Sequence, residues 1–420
     1  MDVPERPPKV DCSVLESFDD DVRDLVRRYN ERYLHWSDLK YRDSGTATRE
    51  QLWTAMKLLR AVTAKSVRIG ELEIRYNLTD GMQKALHDLD MRLATGIVPP
   101  GHLDERRRLM YSISSMMEES IASSQMEGAA TTTVAAKRML RMNASPSNRS
   151  ERMIVNNYRA IQYIREHSGD DLSPLMILRI HSIVSDGTLD EAEDEGRFRT
   201  DDSIAVRDVF EDVTYHMPPS HERIGDLVEG LCEFANDDSV YMHPIVKGIV
   251  LHFLLAYIHP FVDGNGRVSR SLFYWFMLRK GYPAVEYLSI SKVMKDHRGR
   301  YDRSYLLSET DDNDITYFIG FNLETVSEAT EIFLRYAQRK VAESQRALED
   351  ARTSGLSLRQ RDILTDLMKS EGCVDVEVLA QKYMVSTASV RRDLLKLVEA
   401  GLAEQVRTGH RKLYRYLESR

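Results

Sequence analysis

The stretch His259-Pro-Phe-Val-Asp-Gly-Asn-Gly-Arg-Val-Ser-Arg270 lies between two long apolar runs with helical spacing, Ile245 to Ile258 and Val268 to Leu278. The second run closes with a basic turn followed by Gly281, which is typical of a helix end. Pro260 disfavours the α region at the residue before it, so the first helix is predicted to end there. The stretch is therefore predicted to be a tight loop between two buried helices.

The loop has the composition of a phosphate-binding site. Gly264 and Gly266 can adopt positive φ and turn backbone N–H groups inward as an anion nest. This nest opens into the N-terminus of the second helix, whose partial positive charge favours phosphate. Asn265 can donate to a phosphate oxygen. Arg267 and Arg270 are three residues apart, so they share a helix face and can bind phosphate oxygens as forks.

Other side chains of the loop supply chemistry. Asp263 is a hard oxygen ligand beside the phosphates, which is how Mg²⁺ is usually held at nucleotide sites. His259 has an ordinary pKa near neutrality and can take a proton from an attacking hydroxyl group. Phe261 is apolar and is predicted to plug the loop into the core. Together these residues indicate a polyphosphate site with a base at its edge.

The stretch resembles the signature of the Fic family, His-Pro-Phe-x-Asp-Gly-Asn-Gly-Arg-x-x-Arg, and departs from it at no fixed position. The resemblance implies a mainly helical fold that transfers AMP from ATP to a protein hydroxyl group. It implies that His259 is the general base and that Asp263 binds Mg²⁺. It further implies that Arg270 holds the γ-phosphate of ATP. The other implied phosphate contacts are Gly264, Asn265, Gly266 and Arg267. Related loops serve other chemistries in the family, so the nucleotide site is more firmly implied than the transferred group.

A second motif, Ser123-Ser-Gln-Met-Glu127-Gly128, ends a run of helix formers from Arg106 to Met126. Ser123 and Glu127 are four residues apart and therefore share one helix face. The pattern resembles the Ser/Thr-x-x-x-Glu-Gly/Asn inhibitory helix that many Fic proteins carry ahead of the core. The resemblance implies that Glu127 pairs with Arg270, where a carboxylate would occupy donors meant for the γ-phosphate. In some relatives the same glutamate helps to remove AMP by hydrolysis, so de-adenylylation stays open.

Two β-prone runs, Ser203 to Val206 and Val213 to Met217, predict a hairpin. Two strands alone are marginally stable, so the hairpin must lean on the helices. It resembles the Fic flap, which implies that a target protein docks near residues 203–217 as an added strand. A structural hairpin without a partner is the alternative. Farther on, residues 289–305 predict an exposed basic and aromatic helix start, where the family likeness places nucleoside contacts by Tyr301 and Tyr305.

The composition changes after residue 355. Three amphipathic helices and then two β-prone runs follow, which is the order of a winged helix-turn-helix; they are Arg359 to Lys369, Val376 to Tyr383, Ser389 to Ala400, Leu402 to Arg407 and Lys412 to Tyr416. Basic residues on the third helix and at the wing tip suit DNA phosphates; they are Arg391, Arg392, Lys396, His410, Arg411 and Lys412. Residues 356–420 hold 12 Lys+Arg against 9 Asp+Glu. This small excess of positive charge is weaker than that expected of a nucleic-acid-binding domain, so a protein partner remains the alternative to DNA.

The chain of 420 residues is too long for one compact core and predicts several units. The predicted order is an N-terminal helical extension (1–105), an inhibitory helix region (106–150), a catalytic core (151–325), a connector helix (326–354) and a winged helix-turn-helix domain (355–420). The fold class is predicted as mainly α, with a Fic-type helical core and a short β-hairpin flap. In the extension, helices are expected over Val22 to Trp36 and Arg49 to Ala64, a strand over Leu72 to Leu78, and a break over Ala94 to Gly101.

Composition narrows the function classes. The three scattered cysteines, Cys12, Cys232 and Cys373, exclude a disulfide framework and fit a reducing cytoplasm. No apolar run approaches the length of a membrane span, and the start has no apolar signal region. The net charge of −8 argues against a general nucleic-acid binder.

The leading hypothesis is a Mg²⁺-dependent protein adenylyltransferase. A Tyr, Thr or Ser hydroxyl group of a target protein attacks the α-phosphate of ATP and displaces pyrophosphate. The alternative from another class is a winged-helix transcriptional regulator that uses the nucleotide site as a sensor. Fic proteins often dimerise, so the resemblance also makes a homodimer possible.

Overall fold

A computed structural model describes residues 3–14, 19–94, 105–208, 213–370, 373–408 and 411–417. The chain divides into two compact units, Met1–Leu334 and Arg335–Arg420. The fold is mainly helical with short strands, which confirms the predicted fold class. Within the described ranges, no helix combines the length and apolar character that crossing a bilayer requires.

The first unit begins with helices α1 (Asp20–Glu31), α2 (Trp36–Leu39) and α3 (Arg49–Thr63). The single helix predicted to run to Trp36 is wrong: α1 ends at Glu31, and Tyr33 takes a left-handed φ of 48° that a helix cannot contain. The start of α3 is fixed by a capping box between Thr48 and Gln51. The apolar faces of these helices share one buried cluster, which includes Val22, Leu25, Trp36, Trp53 and Met56.

A hairpin of β1 (Lys65–Ile69) and β2 (Leu72–Tyr76) precedes α4 (Asp80–Leu93). The extension packs on the core through buried polar contacts: Lys57 Nζ lies 2.9 Å from Asp311 Oδ1. The predicted break after α4 lies outside the described residues apart from Ala94.

Helices α5 (Glu105–Met126), α6 (Thr133–Arg141), α7 (Arg149–Glu166) and α8 (Pro174–Ser185) follow. The helix predicted over Arg106 to Met126 is α5. Several of its polar side chains are buried along with its apolar ones, namely Ser112, Glu119, Ser120, Ser123 and Ser124. These buried groups need partners from neighbouring elements, so α5 is an internal part of the core.

The flap is an antiparallel pair of β3 (Val206–Asp208) and β4 (Val213–His216), whose connection at 209–212 lies outside the described residues. After α9 (Ile224–Asn236), the two predicted central helices are α10 (Pro244–Ile258) and α11 (Asn265–Arg279), which pack on each other. Nearly every side chain of both helices is buried.

The unit continues with α12 (Ile290–Asp296), α13 (Arg298–Thr310) and the first part of α14 (Thr316–Ser354), a helix that runs past Leu334 into the second unit. The prediction of an exposed helix start over residues 289–305 is wrong, because Ile290, Val293, Met294 and Tyr301 are buried. Basic residues such as Lys292 and Arg300 are exposed, whereas the apolar residues between them face the core.

The second unit contains α15 (Leu358–Lys369), β5 (Val374–Asp375), α16 (Val376–Tyr383), α17 (Thr387–Glu399), β6 (Ala403–Thr408) and β7 (Arg411–Tyr416). The helices enclose a core that includes Ile363, Leu379, Val390, Leu394 and Leu397. The predicted helix order and wing are present. One strand was not predicted: β5 pairs with β7 in a sheet of order β5-β7-β6, and its two residues are too few to show a pattern. The wing-tip residue His410 and the side chains of Arg411 and Lys412 lie outside the described part of the unit.

Candidate functional site

The predicted loop joins α10 to α11. Helix α10 ends because His259 has a left-handed backbone (φ 49°, ψ 56°), while its N–H still bonds to Leu255 O at 3.0 Å. At the other end, Gly264 takes a φ of 87° and lets the chain enter α11. A left-handed histidine is a strained backbone position that its surroundings must hold in place.

Asn265 braces the loop from within. Its Oδ1 accepts from Phe261 N at 3.0 Å, and its Nδ2 donates to Phe261 O at 2.8 Å. The side chain is buried. One of the two N–H groups on Nδ2 is used in the bond to Phe261 O, so donation from the other to a phosphate oxygen stays a prediction.

His181 on α8 is a second brace, and sequence reasoning missed it. Its ring is fully buried and stacks on Phe261 with 3.7 Å between ring centroids. Nδ1 accepts from Gly196 N at 3.0 Å, so Nε2 carries the proton and donates to Asp263 O at 2.9 Å. Burial lowers the pKa of His181 to about 4, which keeps the ring neutral. The sequence did contain a sign of this role, because His181 is a polar residue inside the apolar helix Pro174–Ser185.

The contacts of His259 leave its side chain able to act as a base. Its Nδ1 lies 3.2 Å from Ala256 O, a group that can only accept, so Nδ1 carries the proton and Nε2 keeps a free lone pair. Burial lowers the pKa of His259 to about 4. The imidazole is therefore neutral at physiological pH and able to accept a proton.

Asp263 is the most accessible charged group of the loop, with 43% of its side chain exposed. Its Oδ1 accepts from Gly264 N at 2.6 Å. Its Oδ2 lies 3.5 Å from Arg267 Nη2 and 4.0 Å from Arg149 Nη2. One carboxylate oxygen thus accepts a hydrogen bond from the backbone, and the other lies near two guanidinium groups.

Arg267 is fully buried. Its Nη1 donates to Val184 O at 2.8 Å, while its Nε has no hydrogen-bond partner among the described residues. Burial lowers the pKa of this guanidinium. The two arginines were predicted to fork onto phosphate from one face, but the structure gives them different partners.

Arg270 pairs with the helix that was predicted to be inhibitory. Its Nε donates to Ser123 Oγ at 2.9 Å, and its Nη2 donates to Ser123 O at 3.0 Å and Glu127 Oε1 at 2.8 Å. Burial works to raise the pKa of the Glu127 carboxyl group, but the charge and hydrogen bond of Arg270 outweigh it and lower that pKa. The pair is therefore ionised.

The same carboxylate lies on the first turn of α11. A methyl group added at Gly266 would come within 2.9 Å of Glu127 Cδ and would also clash with its Oε1. Only a glycine admits the carboxylate this close to the backbone. Of the two glycines predicted to adopt positive φ, only Gly264 does so, because Gly266 is helical. The predicted nest is therefore limited to the start of α11, which this carboxylate covers.

Tyr301 and Tyr305 were predicted to contact the nucleoside. Tyr301 is 5% exposed, and its hydroxyl group lies 3.0 Å from His252 Nε2 and 3.2 Å from the Tyr305 hydroxyl oxygen. Tyr305 stacks on Phe253 with 5.5 Å between centroids. Both rings belong to an aromatic cluster of the core in this structure.

The flap is tied to the loop by Arg199 and His216. Arg199 Nε donates to His259 O at 3.0 Å, its Nη1 donates to Asp202 Oδ1 at 2.8 Å, and its Nη2 donates to Pro219 O. His216 on β4 contacts Tyr257 O and Glu309 Oε2, each at 2.7 Å. The two strands therefore stand at a fixed place beside the base.

Comparison with known proteins agrees with this geometry. Residues 171–277 match the profile of the Fic/DOC family, and residues 359–413 match that of the DeoR-like helix-turn-helix domain. The chain thus contains a Fic-type domain and a C-terminal helix-turn-helix domain, which agrees with the resemblance found in the sequence.

Relatives support the family assignment over part of the chain. Proteins named protein adenylyltransferase Fic from Drosophila ananassae and Drosophila melanogaster are each 31% identical over 120 residues, or 28% of this chain. These matches span 22% and 23% of the relatives' own lengths.

Solved structures share the fold. A Fic family protein from Desulfovibrio desulfuricans G20 has a TM-score of 0.52 at 20% identity, over 81% of this chain and 95% of that one. Fic-1 from C. elegans has a TM-score of 0.53 at 19% identity, over 76% of this chain and 86% of that one.

Proposed function

We propose that this Fic-family protein transfers AMP from ATP to a Tyr, Thr or Ser hydroxyl group of a target protein. The observation that carries the proposal is that the loop already holds an anion: the Glu127 carboxylate lies on the Gly266 backbone and on Arg270. A helix N-terminus and a buried guanidinium that bind a carboxylate also suit phosphate oxygens. The relatives named adenylyltransferase favour AMP as the transferred group.

In this proposal His259 is the catalytic base. Its Nε2 takes the proton from the target hydroxyl group as that oxygen bonds to the α-phosphate and pyrophosphate leaves. Arg270 and the N–H groups of the first turn of α11 stabilise the charge that develops on the phosphates. Asn265 and His181 act as positioning residues, because their hydrogen bonds hold the loop in the shape that aims these groups.

Asp263 fits the Mg²⁺ ion of a nucleotide site. Its carboxylate is partly exposed, and the described ranges hold no cluster of three or more His, Cys, Asp or Glu side chains for an all-protein site. Nucleotide-bound Mg²⁺ needs only one or two carboxylates, because phosphates and water complete its shell. When bound, the ion would neutralise phosphate charge.

The proposed enzyme is self-inhibited. Arg270 cannot hold a γ-phosphate while Ser123 and Glu127 occupy its donors, and the Glu127 charge repels the nucleotide. The flap, by its position beside His259, would receive the target as an added strand near residues 203–217. Removing the glutamate should free both Arg270 and the nest.

Transfer of label from α-labelled ATP to protein, with Mg²⁺, tests the proposal. The wild type, Glu127→Gly and His259→Ala would be compared, alone and with a cell lysate that supplies targets. Label on protein with Glu127→Gly, and none with His259→Ala, supports an inhibited adenylyltransferase. Absence of α-label with every variant would contradict it. Release of AMP from modified protein, dependent on Glu127, would favour de-adenylylation.

A second function, DNA binding, is favoured by the match to the DeoR-like domain. Helix α17 exposes Arg391, Arg392 and Lys396, and no ion pair is recorded for them among the described residues. By contrast, Lys382 on α16 pairs with Asp366. Free cations on the third helix of such a domain suit DNA phosphates. In a transcriptional regulator, the helix-turn-helix unit would bind DNA and the nucleotide site would serve as a sensor.

A further inference from the structure

Helices α5 and α11 meet along faces with the same spacing. Residues at four-residue intervals on α5 and the turn that follows it lie opposite residues of α11 at four-residue intervals, in antiparallel order. The opposed pairs are Glu127 with Gly266, Ser123 with Arg270, and Glu119 with Tyr274. The first two pairs belong to the nucleotide site. The third lies two helical turns away and has no part in the proposed chemistry.

Glu119 is a buried anchor, with 3% of its surface exposed. Its Oε2 accepts from the Tyr274 hydroxyl group and from Ser291 N, both at 2.8 Å, and its Oε1 accepts from the Ser291 hydroxyl group. Burial raises the pKa of this carboxyl group. A buried acid is retained at such a cost only when its hydrogen bonds are satisfied. Here they join α5 to both α11 and α12.

The opposite end of α5 is held as well. Arg298 Nη1 donates to Met126 O at 2.7 Å, and Lys295 Nζ donates to Gln125 Oε1 at 2.8 Å. The helix is therefore fixed on both sides of Ser123 by groups outside the nucleotide site. Glu127 reaches Arg270 only if α5 keeps its register on α11, because eight residues of helix span about 12 Å.

We propose that Glu119 is a positioning residue that holds α5 in register and so keeps the Glu127 carboxylate on Arg270. The inference rests on the proposed inhibition and adds a residue to it. Without Glu119, the contacts at Gln125 and Met126 would remain, but the register of α5 on α11 would depend on contacts to Arg270 that ATP itself competes for. Arg270 would then be free in a larger fraction of molecules.

The test uses Glu119→Ala and the more conservative Tyr274→Phe in the α-label transfer assay. A buried hydrogen bond changes an equilibrium by a factor on the order of five, so Tyr274→Phe should raise labelling about fivefold over the wild type. Glu119→Ala, which removes three hydrogen bonds, should raise it at least as much. In a Glu127→Gly background neither should raise labelling further, because the effect acts through Glu127. Glu118→Gln is the matched control: its carboxylate pairs with Lys137 on another face, and wild-type labelling is expected.

Wild-type labelling with both Glu119→Ala and Tyr274→Phe would overturn the inference, as would an equal rise in the Glu127→Gly background. If Glu127→Gly itself gives no label, the proposed function fails and amide hydrogen exchange decides the inference. Exchange over residues 119–127 should then rise severalfold in Glu119→Ala and not in Glu118→Gln. Equal protection in the two variants would refute the anchoring role.

Discussion

Replacing Glu127 with glycine is expected to tighten ATP binding about 30- to 150-fold. In the wild type, the incoming phosphates must displace a carboxylate that lies 2.8 Å from Arg270 Nη2. A hydrogen bond between charged groups contributes about 2–3 kcal/mol, and each 1.4 kcal/mol is a factor of about ten in Kd. Solvent screening is modest, because Arg270 is 4% and Glu127 23% exposed. Arg270 also stays in place without the carboxylate, since Ser123 still accepts two of its hydrogen bonds.

Calorimetric titration with ATP and Mg²⁺ measures this difference. Both proteins would carry His259→Ala, so that transfer does not consume the nucleotide, and one would also carry Glu127→Gly. Adenosine is the control ligand: it has no phosphates, and its Kd should be the same for both proteins. ADP should gain affinity with the glycine variant, because the carboxylate also covers the nest at Gly266.

Two results would refute this reasoning. An unchanged Kd for ATP would mean that Glu127 does not compete with the phosphates. An equal gain for adenosine would mean that the glutamate obstructs the nucleoside instead.

Three further outcomes are expected. With the Glu127→Gly protein, kcat/KM for ATP should stay level from pH 8 to about 5.5, because burial holds the pKa of His259 near 4 and the base loses function only when protonated; a loss centred near pH 6.5 in the measured profile would contradict this. In the same protein, His181→Phe keeps the ring stack on Phe261 but loses both ring hydrogen bonds, so ATP affinity measured by titration should fall about tenfold; an unchanged affinity would remove its positioning role. If the second unit binds DNA, Arg392→Ala should reduce the slope of log K against log salt by about one, and Lys382→Ala, whose lysine is paired, should not; equal slopes in a salt titration would place the contact elsewhere.

Much of the site could be predicted from the sequence because many of its residues lie close together in the chain. The apolar runs on both sides of the loop, Pro260 and the two glycines are enough to predict where α10 ends and α11 begins. The spacing of Ser123 and Glu127 places them on one face of α5. The Fic-type domain, the mainly helical fold and the C-terminal helix-turn-helix domain were predicted from such short stretches and are confirmed.

Other features depend on segments far apart in the chain. His181 supports the loop from 82 residues away, through its hydrogen bond to Asp263 O, and no local pattern links the two. Asn265 was predicted to donate to a phosphate oxygen, and only the fold shows that its side chain also closes the loop on the Phe261 backbone. Tyr301 looked exposed because its neighbours are basic, yet it packs in an aromatic cluster.

By itself, then, the sequence determined which chemical groups the loop contains and which side chains share a helix face, because backbone preferences and helical spacing act over a few residues. Only the tertiary structure decided what each face meets. Three contacts could therefore be found only in the structure: that of the Glu127 carboxylate with Gly266, that of Arg267 with Val184 O, and that of Glu119 with Tyr274. Contacts between helices depend on how whole elements pack, and the burial that fixes them is shared by residues from every part of the chain.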